Sequence, residues 1–411
     1  MKVAASAVDD QLLSPEYVQS PYATYDVLRE HYPVYWSEKW NAWLITRYED
    51  VVNVLRDFEG FSNRGRYTEY LSSLSEQERT QLAYLQHHYE HGGLVQSDPP
   101  NHTRLRKLIG GAFTPRIIAE MKTLVQQIVA NLIEQFQDDE EVELIHQFAF
   151  PLPAVVIAGV LGVPAEERDV FRKWSSDVQR FLGSGQAVFS YATAAQDAWR
   201  SMNTYFTELL AERRRQPRND LVSALAAACE DGEKLTDDEL IRTCGALLIA
   251  GHETTTNLIA NSVWLMLRHR EVKRELQENP DLYPTAIEEF LRYESPFQTL
   301  PRTVTREATI HGQQLMPGDL VHVVLGSANR DPRRFADPEQ LNIRRENNRH
   351  VAFGYGTHFC LGASLARMEA GIAIPELFRR LPNMRLCEDR PPVWKQSMVQ
   401  RGMERFWLRL R

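Results

Sequence analysis

The sequence predicts a mainly α-helical protein with small β-sheets, folded as one domain. Three observations carry this. Apolar residues recur at helical spacing in segment after segment, most plainly from Thr236 to about Arg268. Short β-type runs are confined to pieces such as Val34–Trp36, Ala42–Thr46 and Val321–Leu325. No Pro/Gly/Ser-rich linker, low-complexity tract or internal repeat divides residues 1–411.

Composition narrows the class. A hydrophobic fraction of 43% and a charged fraction of 25% are those of a soluble globular protein. A formal net charge of -8 argues against a general nucleic-acid binder. The four cysteines, Cys229, Cys244, Cys360 and Cys387, contain no C-x-x-C pair. A structural zinc site, an iron–sulfur cluster and a disulfide framework are therefore poorly supported, and reduced thiols in the cytoplasm fit better. Met1–Ser14 has no sustained apolar run and carries Asp9 and Asp10, so neither a signal peptide nor a membrane anchor is expected. No other stretch has the apolar length needed to span a bilayer.

In chain order, Pro21–Tyr32 reads as an amphipathic helix with Tyr25, Leu28 and Tyr32 on one face. Two short strands around a polar turn follow, then a helical pattern over Tyr48–Leu55. Ser62–Gly93 is polar and rich in Tyr67, Tyr70, Tyr84, His87, His88 and Tyr89, which suits solvated or pocket-lining side chains better than a metal site. Pro99 and Pro100 hold off helix until Asn101, which is placed to cap the helix that follows. His102 and Arg106 then stand four apart on one face, a spacing that suits a bound carboxylate or an ordinary basic surface. Leu124–Phe136, Glu166–Leu182 and Gln196–Arg214 are helical patterns, with a break at Phe181–Gly185.

Thr236 and Glu239 form a capping box that opens the longest helix, about 50 Å at helical rise. Its middle, Cys244–Ala250, is apolar nearly all round and should pass through the core. Inside it stands Ala250-Gly251-His252-Glu253-Thr254-Thr255-Thr256. A carboxylate and three hydroxyls in a buried helix invite a functional account. The alternative is a helix bent by hydroxyls bonded back to carbonyls, with Glu253 in a salt bridge. Pro284 begins a further helix carrying Glu289-x-x-Arg292, which Pro296 should stop. Ala328–Pro332 reads as a turn, Pro375 should kink or end the last helix, and Ser397–Val399 suits a hairpin tip.

The decisive stretch is Phe353-Gly354-Tyr355-Gly356-Thr357-His358-Phe359-Cys360-Leu361-Gly362. Leu361, Leu365, Met368 and Ile372 mark an apolar helix face, so Cys360 stands at a helix N-terminus, where N–H groups and the macrodipole favour a thiolate. Gly354 and Gly356 permit torsions closed to other residues, and Gly362 lets the backbone approach a flat partner. A cysteine alone would read as a buried structural residue. The whole ten-residue spelling asks for more.

Phe353, Gly356, His358, Cys360 and Gly362 resemble the haem-binding loop of the cytochrome P450 family, and the other motifs fall in that family's order. The resemblance implies the cytochrome P450 fold and haem b (iron-protoporphyrin IX), with Cys360 as the axial thiolate that pushes electron density onto iron. It implies propionate contacts from His102, Arg106, Arg302 and His358. It assigns Ala250, Gly251, Glu253 and Thr254 to oxygen activation: Gly251 leaves room above the haem plane, Thr254 orients water and Glu253 relays protons. Glu289 and Arg292 become a buried ion pair supporting the loop. Phe181, Leu182, Ala246, Ala250, Phe297 and Met398 are the candidate substrate contacts.

The implied activity is that of a soluble, bacterial-type haem-thiolate monooxygenase. One atom of O2 enters an apolar or partly apolar small molecule by hydroxylation or epoxidation, and the other becomes water. The chain leaves no room for a fused reductase after the haem loop, so electrons should come from a ferredoxin or flavodoxin with its reductase. A basic patch of Arg104, Lys107, Arg333, Arg334, Arg344, Arg345 and Arg349 would receive that donor. A peroxide-driven peroxygenase is disfavoured because Glu253 and Thr254 are both present. A haem gas-binding protein is disfavoured because no signalling or DNA-binding segment accompanies the motifs.

Overall fold

The computed structural model describes residues 8–12, 14–111, 113–164, 167–184, 187–229 and 232–411. The N-terminal expectation therefore falls partly outside the described residues, as do Glu166 and Gly185. The chain enters through α1 (Tyr22–His31), β1 (Val34–Ser37), β2 (Ala42–Ile45), α2 (Tyr48–Arg56) and β3 (Phe61–Ser62). Helices α3 (Arg66–Leu71), α4 (Ala83–Glu90), α5 (Asn101–Gly110), α6 (Pro115–Glu134), α7 (Pro151–Leu161), α8 (Arg168–Gly183) and α9 (Phe189–Arg215) follow. Then come α10 (Asp237–Arg268), α11 (Tyr283–Tyr293), β4 (Thr299–Val304), β5 (Leu320–Val324) and α12 (Ala363–Arg380).

Helix α10 is the axis of the core. Thr236 Oγ1 accepts from Glu239 N–H at 3.2 Å while Glu239 Oε2 accepts from Thr236 N–H at 2.9 Å, so the reciprocal cap fixes where it starts. Leu248, Ile249, Leu258, Ile259, Val263 and Met266 are buried on several sides of it. Helices α7, α8, α9, α11 and α12 pack against it. A helix apolar nearly all round is stable only when so enclosed.

The main sheet has the order β1-β2-β5-β4-β3, parallel only between β2 and β5. Every residue of β5 is buried, which matches its unbroken apolar spelling apart from His322. Among the described residues three smaller sheets lie elsewhere, one joining Glu141–Glu143, Trp407–Arg409 and Arg385–Leu386.

Some local expectations are revised. Asn101 is the first helical residue rather than the cap, its side chain turned to Ser97 and Arg104. Helix α11 ends at Tyr293 before Pro296, with Ser295 Oγ bonded back to the Leu291 carbonyl at 2.8 Å. Helix α12 runs through Pro375 to Arg380, because α6, α10 and α11 hold it along its length. The segment after β5 turns helical at Leu325–Ala328.

Candidate active site

The loop before α12 is shaped by two left-handed glycines, Gly354 at φ 73° and Gly356 at φ 71°. A Cβ at Gly356 would lie 2.8 Å from the Leu55 carbonyl oxygen, so α2 closes over this glycine. Cys360 N–H donates to the Phe353 carbonyl at 2.9 Å and closes the loop onto itself. Helix α12 begins three residues later, after Gly362, where an added Cβ would meet open space. Cys360 has accessible surface although protein surrounds it, so the sulfur faces a cleft. The helix-end effect is outweighed: burial pushes the thiol up, against the Gly362 N–H, Arg106 and Arg367.

Beside this loop lies a cluster of buried donors. The His102 and His358 rings sit 4.0 Å apart, and His102 Nδ1, His102 Nε2 and His358 Nε2 have no partner. Burial, then His102, Arg302, Arg66 and Arg106, push His358 down to about 2. Arg302 is buried on β4, its Nη1 donating to its neighbour Pro301's carbonyl at 2.7 Å. Burial and the nearby Arg66 bring its guanidinium down to about 9. Burial also lowers Arg106, against the pull of Cys360. So many buried donors with open valences suit an anionic group.

Across α10, Ala246 is half-buried, Ala250 exposed and Thr254 half-buried, whereas Leu248, Ile249 and His252 are buried. Positions four apart share a helix face, so these three form one accessible stripe in mid-helix. Thr254 Oγ1 donates to the Ala250 carbonyl at 3.1 Å, leaving its lone pairs free to accept. Glu253 turns aside to an ion pair with Lys395 Nζ, and Asn257 Oδ1 accepts from the same amine at 3.5 Å. Burial would raise the Glu253 carboxyl, but Lys395 and His252 bring it below the usual carboxylate range. Gly251 has a different reason from the one expected: a Cβ there would come within 2.8 Å of Ile157, so it permits the approach of α7. His252 is buried with Nδ1 bonded to the Leu248 carbonyl at 2.8 Å, edge-on to Phe150, and its Nε2 has no partner.

The family model of cytochrome P450 matches residues 45–398. Cytochrome P450 107B1 of Saccharopolyspora erythraea is 42% identical over 371 residues, covering 90% of this chain and 89% of its own. The biotin biosynthesis cytochrome P450 of Bacillus subtilis is 40% identical, covering 91% and 92%. Among solved structures, P450BioI with an acyl carrier protein ligated to hexadec-9Z-enoic acid superposes with a TM-score of 0.89 at 37% identity, covering 96% and 99%. CYP109E1 of Bacillus megaterium with testosterone gives 0.82 at 33%, covering 95% and 99%.

The chain belongs to the cytochrome P450 family. It is a haem b oxidoreductase of the monooxygenase type with the cytochrome P450 fold. The residues fit that cofactor: a cysteine faces the cleft, unpartnered His102 and His358 nitrogens and Arg302 supply donors, and Gly362 leaves its Cβ space open. A thiol pushed up by burial is ionised when a metal cation binds it.

A buried ion pair ties together segments that precede the loop. Glu289 and Arg292, both fully buried, pair through two bonds of 2.8 Å. Arg292 Nη1 also donates to the Asn329 and Pro338 carbonyls at 2.9 Å each, and Glu289 accepts from Asn342 N–H at 2.9 Å. Glu288 binds Arg367, which lies 4.5 Å over the Phe353 ring. Arg345 is thereby claimed by Glu289 at 3.1 Å, and Arg104, Arg333 and Arg344 pair with acids, which thins the expected donor patch. No helix of the described residues is long and apolar enough to cross a membrane.

The candidate substrate contacts divide. Ala246, Ala250, Leu182 and Phe297 keep accessible surface. Phe181 and Met398 are buried instead: Phe181 packs on Tyr89, ring centres 6.1 Å apart, and Met398 joins Tyr17, Tyr25 and Leu44. Core packing claimed both. Three participants had no sequence signal, since Arg66, Lys395 and Arg367 reach their partners only through the fold.

Proposed function

We propose that this P450 inserts one oxygen atom of O2 into an apolar or partly apolar small molecule, by hydroxylation or epoxidation, in the cytoplasm. Electrons come from a separate ferredoxin or flavodoxin with its reductase. The observation that carries this is the Ala246–Ala250–Thr254 stripe, with Glu253 beside it in the same turn. The stripe gives a substrate small apolar surface and one hydroxyl, and little polar matter to bind.

When bound, the haem supplies oxygen binding and the oxidising power for O–O cleavage. Cys360 would be its thiolate ligand, and His102, Arg106, Arg302 and His358 would hold the propionates by charge-assisted bonds. Thr254, its proton committed to the Ala250 carbonyl, accepts a hydrogen bond and so fixes a donor at the reaction centre. Glu253, an ionised carboxylate, parts from Lys395, takes up a proton from solvent and passes it to that position. Related proteins support an apolar substrate: a vitamin D(3) 25-hydroxylase of Pseudonocardia autotrophica is 36% identical, and the testosterone-bound and fatty-acyl structures share the fold.

Turnover tests the reading. Product should form with O2, reductant and a ferredoxin pair, and the label of 18O2 should enter it. Equal turnover from peroxide alone, without O2, would replace the proposal with a peroxygenase. No product under either condition, with intact O2 binding, would leave only a gas-binding protein.

A further inference from the structure

Arg66 opens helix α3 inside the polar run Asn63-Arg64-Gly65-Arg66-Tyr67. Folding buries it to 5% exposure. Its Nη1 donates to Asn63 Oδ1 at 2.8 Å, its Nη2 to the Val95 carbonyl at 3.4 Å, and its plane lies 4.9 Å over the Tyr67 ring. Its Nε–H has no acceptor. A guanidinium keeps its charge at any ordinary pH, and a buried charge is unfavourable until an anion answers it.

The surroundings do not answer it. Arg66 lies within electrostatic reach of Arg302, His358 and His322, all donors or cations. The acid that reaches this group is Asp98, whose carboxylate already accepts from Ser62 Oγ and from Asn63 N–H at 3.0 Å. Asp98 reaches Arg302 and His102, the group facing Arg106 is Cys360, and among the described residues the buried Arg66 Nε–H meets no acceptor. Haem b carries two propionates.

We propose that Arg66 is a further propionate anchor, holding the haem from the α3 side through its free Nε–H, in addition to the contacts made by His102, Arg106, Arg302 and His358. This rests on the reading that those four residues face the propionates. It also ties the cavity wall to the cofactor, because Tyr67, next in the chain, packs on Tyr89 with ring centres 4.3 Å apart.

The test measures haem transfer from holoprotein to excess apomyoglobin for wild type, Arg66→Gln, Arg66→Lys and Arg302→Gln. Each protein carries either natural haem or haem whose propionates are methyl esters. Arg66→Gln should lose natural haem roughly 10–100-fold faster than wild type, the range for a charged hydrogen bond. Arg66→Lys should fall between. With the diester, wild type and Arg66→Gln should release haem at one rate. A mutant effect that survives esterification would overturn the proposal in favour of a fold role. An unchanged natural-haem rate would overturn it too, and a loss of affinity for a carboxylate-bearing ligand alone would reassign Arg66 to substrate. Should Arg66→Gln not fold, Arg66→Lys decides the matter by the same comparison. If the Arg302→Gln effect vanishes on esterification and the Arg66 effect does not, only the Arg66 proposal fails. If neither responds, the propionate reading fails as a whole.

Discussion

Lys395 Nζ is bonded to the Glu253 carboxylate across 142 positions of sequence, joining the C-terminal segment to the central helix. The carboxylate keeps 14% exposure and the lysine 21%, so neither is fully dry. Breaking a fully buried pair destabilises by roughly 3–5 kcal/mol, and residual solvent should reduce that to roughly 1–3 kcal/mol for Lys395→Met. Adding Glu253→Gln should recover part of the loss, because no charge is then left alone. Urea melts of the two single mutants and the double mutant read this directly; strictly additive losses would show that the pair contributes nothing.

Thr254→Ala removes the one hydroxyl on the accessible stripe of α10 and leaves thiolate and propionate contacts untouched. Haem spectra and substrate binding should be retained. Positioned proton-handling groups contribute roughly 10²–10⁴-fold, so product per reductant consumed should fall by about tenfold or more, with peroxide appearing instead. Thr254→Ser should keep most coupling. A wild-type product-to-reductant ratio in the alanine variant would make the hydroxyl a helix-bending feature only.

Cys360→Ser replaces the one sulfur that faces the cleft between Phe353 and Gly362. The reduced carbon monoxide complex should lose the red-shifted Soret band of a thiolate-bound haem. Retention of that band would place the ligand elsewhere.

Arg292→Ala leaves the fully buried Glu289 with Arg345 as its remaining cation and frees the Asn329 and Pro338 carbonyls. A loss of roughly 3–5 kcal/mol in denaturant melts is expected. Arg292→Lys should not rescue it, because the ammonium lacks the planar fork that meets both carboxylate oxygens. A variant with unchanged melting would remove Glu289–Arg292 as the support of the loop.

His88 should make the protein acid-sensitive before its carboxylates titrate. Burial, then Arg242, push it down to about 3, and its ring lies 3.9 Å from Trp199. Its folded value is below the unfolded one, so its contribution is intact above about pH 6.5 and is lost as pH falls toward 3. Between those limits the slope is roughly 1 kcal/mol per pH unit. Thermal melting against pH should flatten in His88→Gln; identical slopes would mean that His88 titrates normally in the fold.

Local spelling made much of this protein readable. The capping box at Thr236 and Glu239 placed the start of α10, and both ends of its range, Thr236 to Arg268, match the helix observed. The loop from Phe353 to Gly362 announced itself because left-handed torsions demand glycine at positions 354 and 356. The His102–Arg106 and Glu289–Arg292 pairs were visible because helical spacing puts partners on one face.

What lay beyond reach was every relationship between residues far apart in the chain. Gly251 looked like room for a cofactor, yet it is Ile157, on another helix, that requires its missing side chain. Phe181 and Met398 looked like cavity wall, yet neighbours from other elements enclose them. Arg66, Lys395 and Arg367 carry no periodic or motif signal, and their charges acquire meaning only from the groups that folding brings beside them. The helices, the thiolate loop and the family are written in the order of the residues alone. Which charges meet and which side chains face the cleft was settled by the packed chain, because burial and electrostatic partnership are properties of neighbours and not of the residue that carries them.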